Sequence, residues 1–233
     1  MTVRSTEARD PRDIANYTLA ESARWLGLVP ATLHVWLRGQ NYRTSAGIKR
    51  MQPVVRPARV DELGLSFWNL VECSVLASIR KSHGISLQKV RRALRYVVKE
   101  LDLPRPLIEQ EFVTDGVHLF VERLGKLISA SESGQTILRE VLEASLTRID
   151  RDSKGVAARL FPWSHRPDEP RVVSVDPRIS FGRPVLAGTG ITVEVLLGRF
   201  WAGDSIAHLA DDYRVPLERI EGLVRWGGGA TAA

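Results

Sequence analysis

The chain has 233 residues, of which 44% are hydrophobic and 26% are charged, and this composition is sufficient for a buried core in one to three small domains. Its single cysteine, Cys73, excludes a disulfide framework and a cysteine-based zinc site, and its apolar neighbours predict a buried thiol. The N-terminal residues contain no apolar signal segment, and no apolar run approaches the roughly 20 residues of a membrane span. We therefore expect a cytoplasmic protein that does not enter a membrane.

The net charge of +6 favours an anionic partner, and the positive charge is concentrated in the first half of the chain. Residues 22–60 contain seven cationic side chains and no carboxylate, and residues 76–99 contain another seven with none. Residues 191–222 are different, because six carboxylates there outnumber three arginines. A nucleic-acid contact is therefore expected in the first half and not in the C-terminal helices.

Two short helices are predicted after a polar N-terminal arm of about 14 residues. Thr18 and Glu21 have the spacing of a capping box, which begins a helix that Gly27 ends. Pro30 suits the first turn of a second helix, whose inward positions are Leu33, Trp36 and Leu37. Two short helices joined by a turn of about four residues form the helix-turn-helix arrangement.

In a helix-turn-helix the second helix lies in the DNA major groove, and its outward side chains read the bases. We predict that the DNA-binding residues are those on this outward face and the cations that follow it: Thr32, His34, Val35, Arg38, Arg43, Lys49, Arg50, Arg56 and Arg59. A helical hairpin with a solvated basic face is the alternative.

Residues 17–38 resemble the opening of MerR-type regulators. His34 stands where that family often has arginine, and no Gly-Tyr-Arg wing motif follows Arg38, so the base contacts of that family do not carry over. Residues 42–60 are predicted to be a linker or wing that contains one short strand at Val54 and Val55. We take residues 1–60 as the N-terminal domain.

Residues 61–161 are predicted to form a helical and β-hairpin middle module. An apolar helix over residues 67–79 belongs in a core or a dimer interface. Ser86 is predicted to cap a helix over residues 87–101, whose outer side carries Arg91, Arg92 and Arg95. That helix is either a second DNA-contacting element or a solvated basic face.

Alternating apolar residues follow Pro106. Asp115 and Gly116 separate two such runs, which predicts a β-hairpin at about residues 112–121, with a third short strand at Leu127 and Ile128. A helix over residues 135–149 and a strand over residues 155–161 complete this small α+β module, which offers a self-pairing surface. Residues 162–172 are predicted to be a linker.

Residues 173–233 begin with an extended segment and continue with helical periodicity in three short blocks, over residues 193–200, 206–213 and 220–224. The predicted fold is therefore mainly α, with a helix-turn-helix N-terminal domain, a small α+β middle module and a three-helix C-terminal domain.

The C-terminal segment resembles one known family in three ordered motifs. Asp176-Pro-Arg-Ile179, Gly182-Arg-Pro-Val185 and Gly188-Thr-Gly-Ile191 resemble the signature of VapB-like antitoxins found beside PIN-domain ribonuclease toxins. With its helix-turn-helix, the whole chain resembles the long mycobacterial-type VapB antitoxins. The resemblance implies an antitoxin that binds and neutralises a cognate PIN-domain toxin and represses its own operon by binding operator DNA.

A PIN-domain site gathers carboxylates around a divalent metal ion, and an inserted arginine could pair with them bidentately. Arg178 and Arg183, in the extended segment, are therefore the predicted toxin-binding residues, with a structural ion pair or plain surface charge as the alternative.

We expect no enzymatic activity, no metal site and no cofactor. The five histidines lack metal-ligand spacing, and Asp211 and Asp212 point about 100° apart if they lie on a helix. A homodimer is expected, because operator-binding helix-turn-helix proteins usually contact two half-sites. Two other functions stay open, namely a stand-alone MerR-type regulator with a sensor module and a scaffold whose C-terminal helices dimerise.

Overall fold

The computed structural model describes residues 10–45, 47–57, 64–83, 85–162 and 169–231. Within these ranges the fold is mainly α-helical, and β-structure is confined to small antiparallel two-stranded ladders, which confirms the predicted fold class. No helix in the described ranges is long and apolar enough to span a membrane.

The predicted helix-turn-helix is confirmed. Strand β1 (Ala15–Thr18) leads into helix α1 (Leu19–Leu26), and helix α2 (Pro30–Arg38) follows after a short turn. The Thr18 hydroxyl accepts the Glu21 N–H at 3.2 Å, while Glu21 accepts the Thr18 N–H at 3.0 Å, so the capping box is complete. Gly27 ends α1 in the left-handed conformation, with φ 58°.

A β-hairpin directly follows α2. Strands β2 (Gln40–Thr44) and β3 (Gly47–Met51) pair antiparallel over five residue pairs, and we call this hairpin the wing. The predicted strand at Val54 and Val55 is wrong. Both residues instead donate their backbone N–H groups to the Trp36 carbonyl, at 2.9 and 3.1 Å, because Val55 is buried against the helix-turn-helix.

The helical part of the middle module agrees with the prediction. Strand β4 (Gly64–Ser66) pairs with β1, and helices α3 (Phe67–His83) and α4 (Leu87–Leu101) follow. Helix α3 is buried along most of its described length and packs against α1, and the Cys73 thiol on it is fully buried, as predicted. Burial, followed by the nearby charge of Glu72, raises the pKa of that thiol.

The predicted β-hairpin around Asp115 and Gly116 is wrong. A π-helical turn (Phe112–Gly116) runs directly into helix α5 (Val117–Ile128), so the predicted strand at Leu127 and Ile128 is wrong as well. A Cβ on Gly116 would lie 2.5 Å from the Phe112 Cδ2 atom, so the absence of a side chain lets the Phe112 ring pack there. That ring packs edge-to-face on Phe120 with a centroid distance of 6.1 Å.

The module ends with helix α6 (Glu132–Leu146) and a hairpin of strands β5 (Ile149–Arg151) and β6 (Ala157–Leu160). The helix predicted over residues 135–149 ends three residues earlier, at Leu146, because Ile149 pairs with Leu160 in the β5–β6 ladder. The predicted strand over residues 155–161 is confirmed at its centre.

The three predicted C-terminal helices are confirmed. Strands β7 (Val173–Ser174) and β8 (Val185–Leu186) precede helices α7 (Val193–Trp201), α8 (Ile206–Asp212) and α9 (Leu217–Thr231). Most of the predicted linker, residues 163–168, lies outside the described residues. Helix α9 packs against α1, and the Asn16 side chain donates to the Phe181 carbonyl at 2.8 Å, so the C-terminal helices contact the helix-turn-helix.

Candidate nucleic-acid interface and C-terminal site

Helix α2 has one buried and one accessible face. Leu33, Trp36 and Leu37 are buried, and Trp36 is only 1% exposed. The predicted DNA-contacting side chains lie on the other face. His34 is exposed, and Thr32, Val35 and Arg38 are partly exposed. The structure therefore leaves the predicted reading face of this helix accessible along its length.

The wing places its cations on both of its faces. Successive strand residues point to opposite faces, so Arg43 and Arg50 share one face with Ile48, while Lys49 lies on the other face beside Tyr42. All three cations are exposed, and Ile48 is 73% exposed. A basic hairpin of this kind beside a reading helix suits contact with phosphates that flank the major groove.

A glycine turn and two hydrogen bonds from one arginine fix the base of the wing. Gly39 joins α2 to β2 with φ 75°, and a Cβ there would lie 2.1 Å from the Met51 carbonyl oxygen, so the position requires glycine. Arg91 of α4 donates from Nε to the Pro53 carbonyl at 3.2 Å and from its terminal nitrogen to the Gln52 carbonyl. Burial lowers the pKa of the Arg91 guanidinium, and the charge of Arg95 lowers it further.

The structure brings together most of the predicted DNA-binding residues. Four lie on α2 and three on the wing beside it; Arg56 is exposed just beyond the wing, where its carbonyl accepts from Asn69 at 2.7 Å. Arg59 lies outside the described residues. Tyr42 and Ile48 are also exposed on the wing, at 38% and 73%, and were not among the predicted contacts.

The predicted toxin-binding residue Arg178 is engaged within the protein. Asp176 is 1% exposed, and it accepts the Arg178 backbone N–H at 2.9 Å and the guanidinium at 2.9 and 2.8 Å. Arg159 adds a contact to Asp176 at 3.3 Å. Burial opposes ionisation of Asp176, but the hydrogen bonds from Arg178 outweigh it, and the pKa of this carboxyl is lowered.

Arg183, unlike Arg178, has an exposed carboxylate partner. Its guanidinium donates to Glu194 at 2.7 Å, but both side chains are well exposed, at 65% and 77%. Arg183 lies at a cleft of about 600 Å³ between α1 and the C-terminal helices, which is also lined by Trp25, Trp201 and Phe181. Phe181 is 90% exposed and has a left-handed backbone with φ 54°. Strained residues of this kind cluster at ligand-contacting sites.

The ion pair between Arg178 and Asp176 gives a pH-dependent prediction. Because the folded-state pKa of Asp176 is lowered, its stabilisation is present above the unfolded pKa of about 3.9 and is lost as the pH falls through the folded value. We expect Arg178→Met to lower the free energy of unfolding by roughly 1 kcal/mol at pH 7, since the arginine is partly solvated. The difference in unfolding free energy between wild type and variant, measured by urea titration, should become smaller below about pH 4.

Arg183→Met is the matched control, because the carboxylate partner of Arg183 is exposed. Its free energy of unfolding should equal that of the wild type at pH 7 and below about pH 4. An Arg178→Met deficit that stays constant down to about pH 3 would contradict this account of Asp176.

Comparison with known proteins agrees with this geometry. Residues 15–94 match the family described as "Putative DNA-binding HTH domain", and residues 173–225 match "Protein of unknown function (DUF433)". The chain thus contains a helix-turn-helix DNA-binding domain and, near its C-terminal end, a domain that matches a second family. It is 30% identical over 224 residues to "Putative antitoxin VapB45" of Mycobacterium tuberculosis (strain ATCC 25618 / H37Rv), covering 89% of this chain and 92% of that relative. The chain belongs to this VapB45 antitoxin family.

A solved structure shows the same fold. The crystal structure of Rv2018 from Mycobacterium tuberculosis matches with a TM-score of 0.66 at 24% identity, over 92% of this chain and 100% of that one. The helix-turn-helix and the C-terminal helices therefore belong to a fold that has been observed by crystallography.

Proposed function

We propose that this protein is the antitoxin of a type II toxin-antitoxin system, that it neutralises a PIN-domain ribonuclease toxin by direct binding, and that it binds operator DNA to autoregulate. The observation that carries the proposal is the presence of a basic winged helix-turn-helix and an exposed aromatic and arginine site in one chain of the VapB45 antitoxin family. The protein acts by binding in the cytoplasm and catalyses no reaction.

The DNA-binding part is assigned to α2 and the wing. Helix α2 presents short polar and cationic side chains that fit the major groove, and the three wing cations fit the adjacent phosphates. We expect the operator-bound form to be a homodimer, since such helices usually read two half-sites about 34 Å apart.

The toxin-binding part is assigned to the edge of the cleft, with Arg183 ahead of Arg178. The guanidinium of Arg178 already makes two hydrogen bonds to the buried Asp176, and releasing it would leave that carboxylate with only Arg159 as a cation partner. Arg183 makes a single bond to an exposed glutamate, which a cluster of metal-binding carboxylates could replace at little cost. Phe181 and Trp201 beside it supply the exposed aromatic surface that is enriched in interface hot spots.

Co-expression with the protein encoded by the neighbouring reading frame, whose PIN-domain character the proposal requires, tests the toxin-binding part. We expect Arg183→Ala to weaken rescue of growth and co-purification of the toxin by at least about tenfold, the loss that follows when a hot-spot arginine is removed. The double variant with Arg178→Ala should lose more, and both should bind operator DNA normally.

Arg225→Ala is the matched control, because it removes an exposed arginine from α9 in the same domain. Unchanged toxin inhibition by the Arg183 and double variants would reject the arginine assignment. A wild-type chain that neither binds nor inhibits the toxin would reject the proposed neutralisation itself.

A further inference from the structure

One exposed side of α4 carries a continuous stripe of positive charge that lies outside the helix-turn-helix and the wing. The stripe consists of the cations Arg92, Arg95 and Lys99 with the neutral Gln88 at its N-terminal end, and all four side chains are exposed. At 100° per residue, these four positions fall within an arc of about 60° on the helix surface. Val90, Ala93, Leu94 and Val97, on the other side, are buried in the core, so the stripe faces directly outward.

The cations of this stripe have no carboxylate partner within the described part of the chain. No ion pair or hydrogen bond among the described residues engages the side chains of Arg92, Arg95 or Lys99. Some other surface cations of this protein are paired, since Lys126 pairs with Glu122 and Arg183 pairs with Glu194. A solvated face of a helix usually mixes both signs, whereas this one keeps three like charges together at the cost of repulsion.

The stripe is physically joined to the wing. Arg91, at its edge, donates to the carbonyls of Gln52 and Pro53, which directly follow the wing strand β3. Arg95 lies one helical turn further along, close enough for its charge to act on Arg91. Arg91 therefore serves as a clamp between α4 and the base of the wing, and the stripe cations begin within one turn of that clamp.

We propose that the α4 stripe is a second DNA-binding surface, which contacts phosphates that flank the segment held by α2 and the wing. The inference rests on the proposed operator binding and extends its footprint. Arg92, Arg95 and Lys99 contact the backbone and add affinity without reading sequence. Arg91 has a different role, since two of its N–H groups donate to carbonyls and it positions α4 against the wing.

The test compares two duplexes from the region upstream of the chain's own reading frame. One keeps the flanking base pairs, and the other is trimmed to the segment that α2 and the wing protect. The triple variant Arg92→Gln, Arg95→Gln, Lys99→Gln should bind the long duplex more weakly than the wild type. The slope of the logarithm of its binding constant against the logarithm of salt concentration should be smaller in magnitude by about 0.9 for each phosphate that it no longer neutralises. On the trimmed duplex, variant and wild type should bind equally.

A charge-matched control removes three exposed cations elsewhere, as Lys154→Gln, Arg214→Gln, Arg225→Gln, and it should keep the wild-type slope on the long duplex. An α4 variant that keeps the wild-type slope there overturns the inference, as does one that binds DNA normally but no longer binds the toxin. Failure of the wild-type chain to bind either duplex would instead reject the proposed operator binding.

Discussion

Simultaneous replacement of the wing cations, as Arg43→Gln, Lys49→Gln, Arg50→Gln, is expected to weaken binding to operator DNA by roughly 10- to 100-fold at physiological salt. The three side chains are exposed on a hairpin that is clamped beside the reading helix, so each can neutralise a phosphate. The slope of log K against log salt should fall by about 0.9 for each of these phosphates. A gel-shift series across salt concentrations measures both quantities.

The charge-matched control of Lys154, Arg214 and Arg225 separates a local contact from a general effect of net charge, because it removes the same three charges from outside the wing. Equal losses in the two variants would mean that the wing has no specific place in the complex. Since the wing side chains are exposed, thermal unfolding of the variant should match that of the wild type.

His34→Ala on α2 should behave differently from the wing variant. A base contact carries specificity, so its loss is expected to cost about 1–3 kcal/mol on the operator while leaving the salt slope and binding to unrelated DNA nearly unchanged. A uniform loss on all sequences would place His34 at the backbone and not at the bases.

Local signals were sufficient to predict the helix-turn-helix. The capping box of Thr18 and Glu21, the left-handed Gly27 and Pro30 each specify a helix end within a few residues. The wing was harder to predict, because both of its strands are exposed and polar and therefore carry no hydrophobic alternation. Its presence depends on the Gly39 turn and on Arg91, which lies far from the wing in the sequence.

The failed hairpin prediction shows why local pattern is ambiguous in the middle module. Val117, Leu119 and Val121 alternate as in a strand, but Val117, Phe120, Val121 and Leu124 also have helical spacing, and it is this second set that is buried. Tertiary packing decides between them, because α5 lies against α4 and α6 and buries the helically spaced set.

The role of Arg178 could have been inferred locally. An aspartate before proline commonly accepts the N–H two residues later, and Asp176 does so with Arg178. That turn directs the arginine to its neighbour, which favours the structural role over a free toxin contact. The environment of Arg183 depends on α7, and no local pattern predicts it.

The largest expected loss of stability comes from Arg105, a buried arginine that joins three segments. It donates to the two carboxylate oxygens of Glu72 at 3.2 and 2.7 Å and to Asp13 at 2.6 Å, and it lies 5.2 Å from the centroid of the Trp68 ring. Glu72 is 6% exposed. Arg105→Ala should therefore leave a buried carboxylate without its cation, which costs about 3–5 kcal/mol.

For a chain of this size, such a loss should lower Tm by roughly 10 °C, measurable by calorimetry. The double variant Glu72→Met, Arg105→Met should recover much of the loss, because it removes both charges and keeps apolar volume in the core. Lys126→Ala, which breaks the exposed pair with Glu122, should leave Tm unchanged. A double variant as unstable as Arg105→Ala would show that Arg105 acts through other contacts than Glu72.

The same substitution should also affect DNA binding. Asp13 lies two residues before the start of β1, and β1 leads into α1, so Arg105 ties the start of the helix-turn-helix to α3 and the middle module. Loss of that tie should weaken operator binding even at temperatures where the chain stays folded, and the double variant should not restore it, because the ion pair between Arg105 and Asp13 is still missing. Operator binding by the two variants, measured well below their Tm values, distinguishes this anchoring role from a general loss of stability.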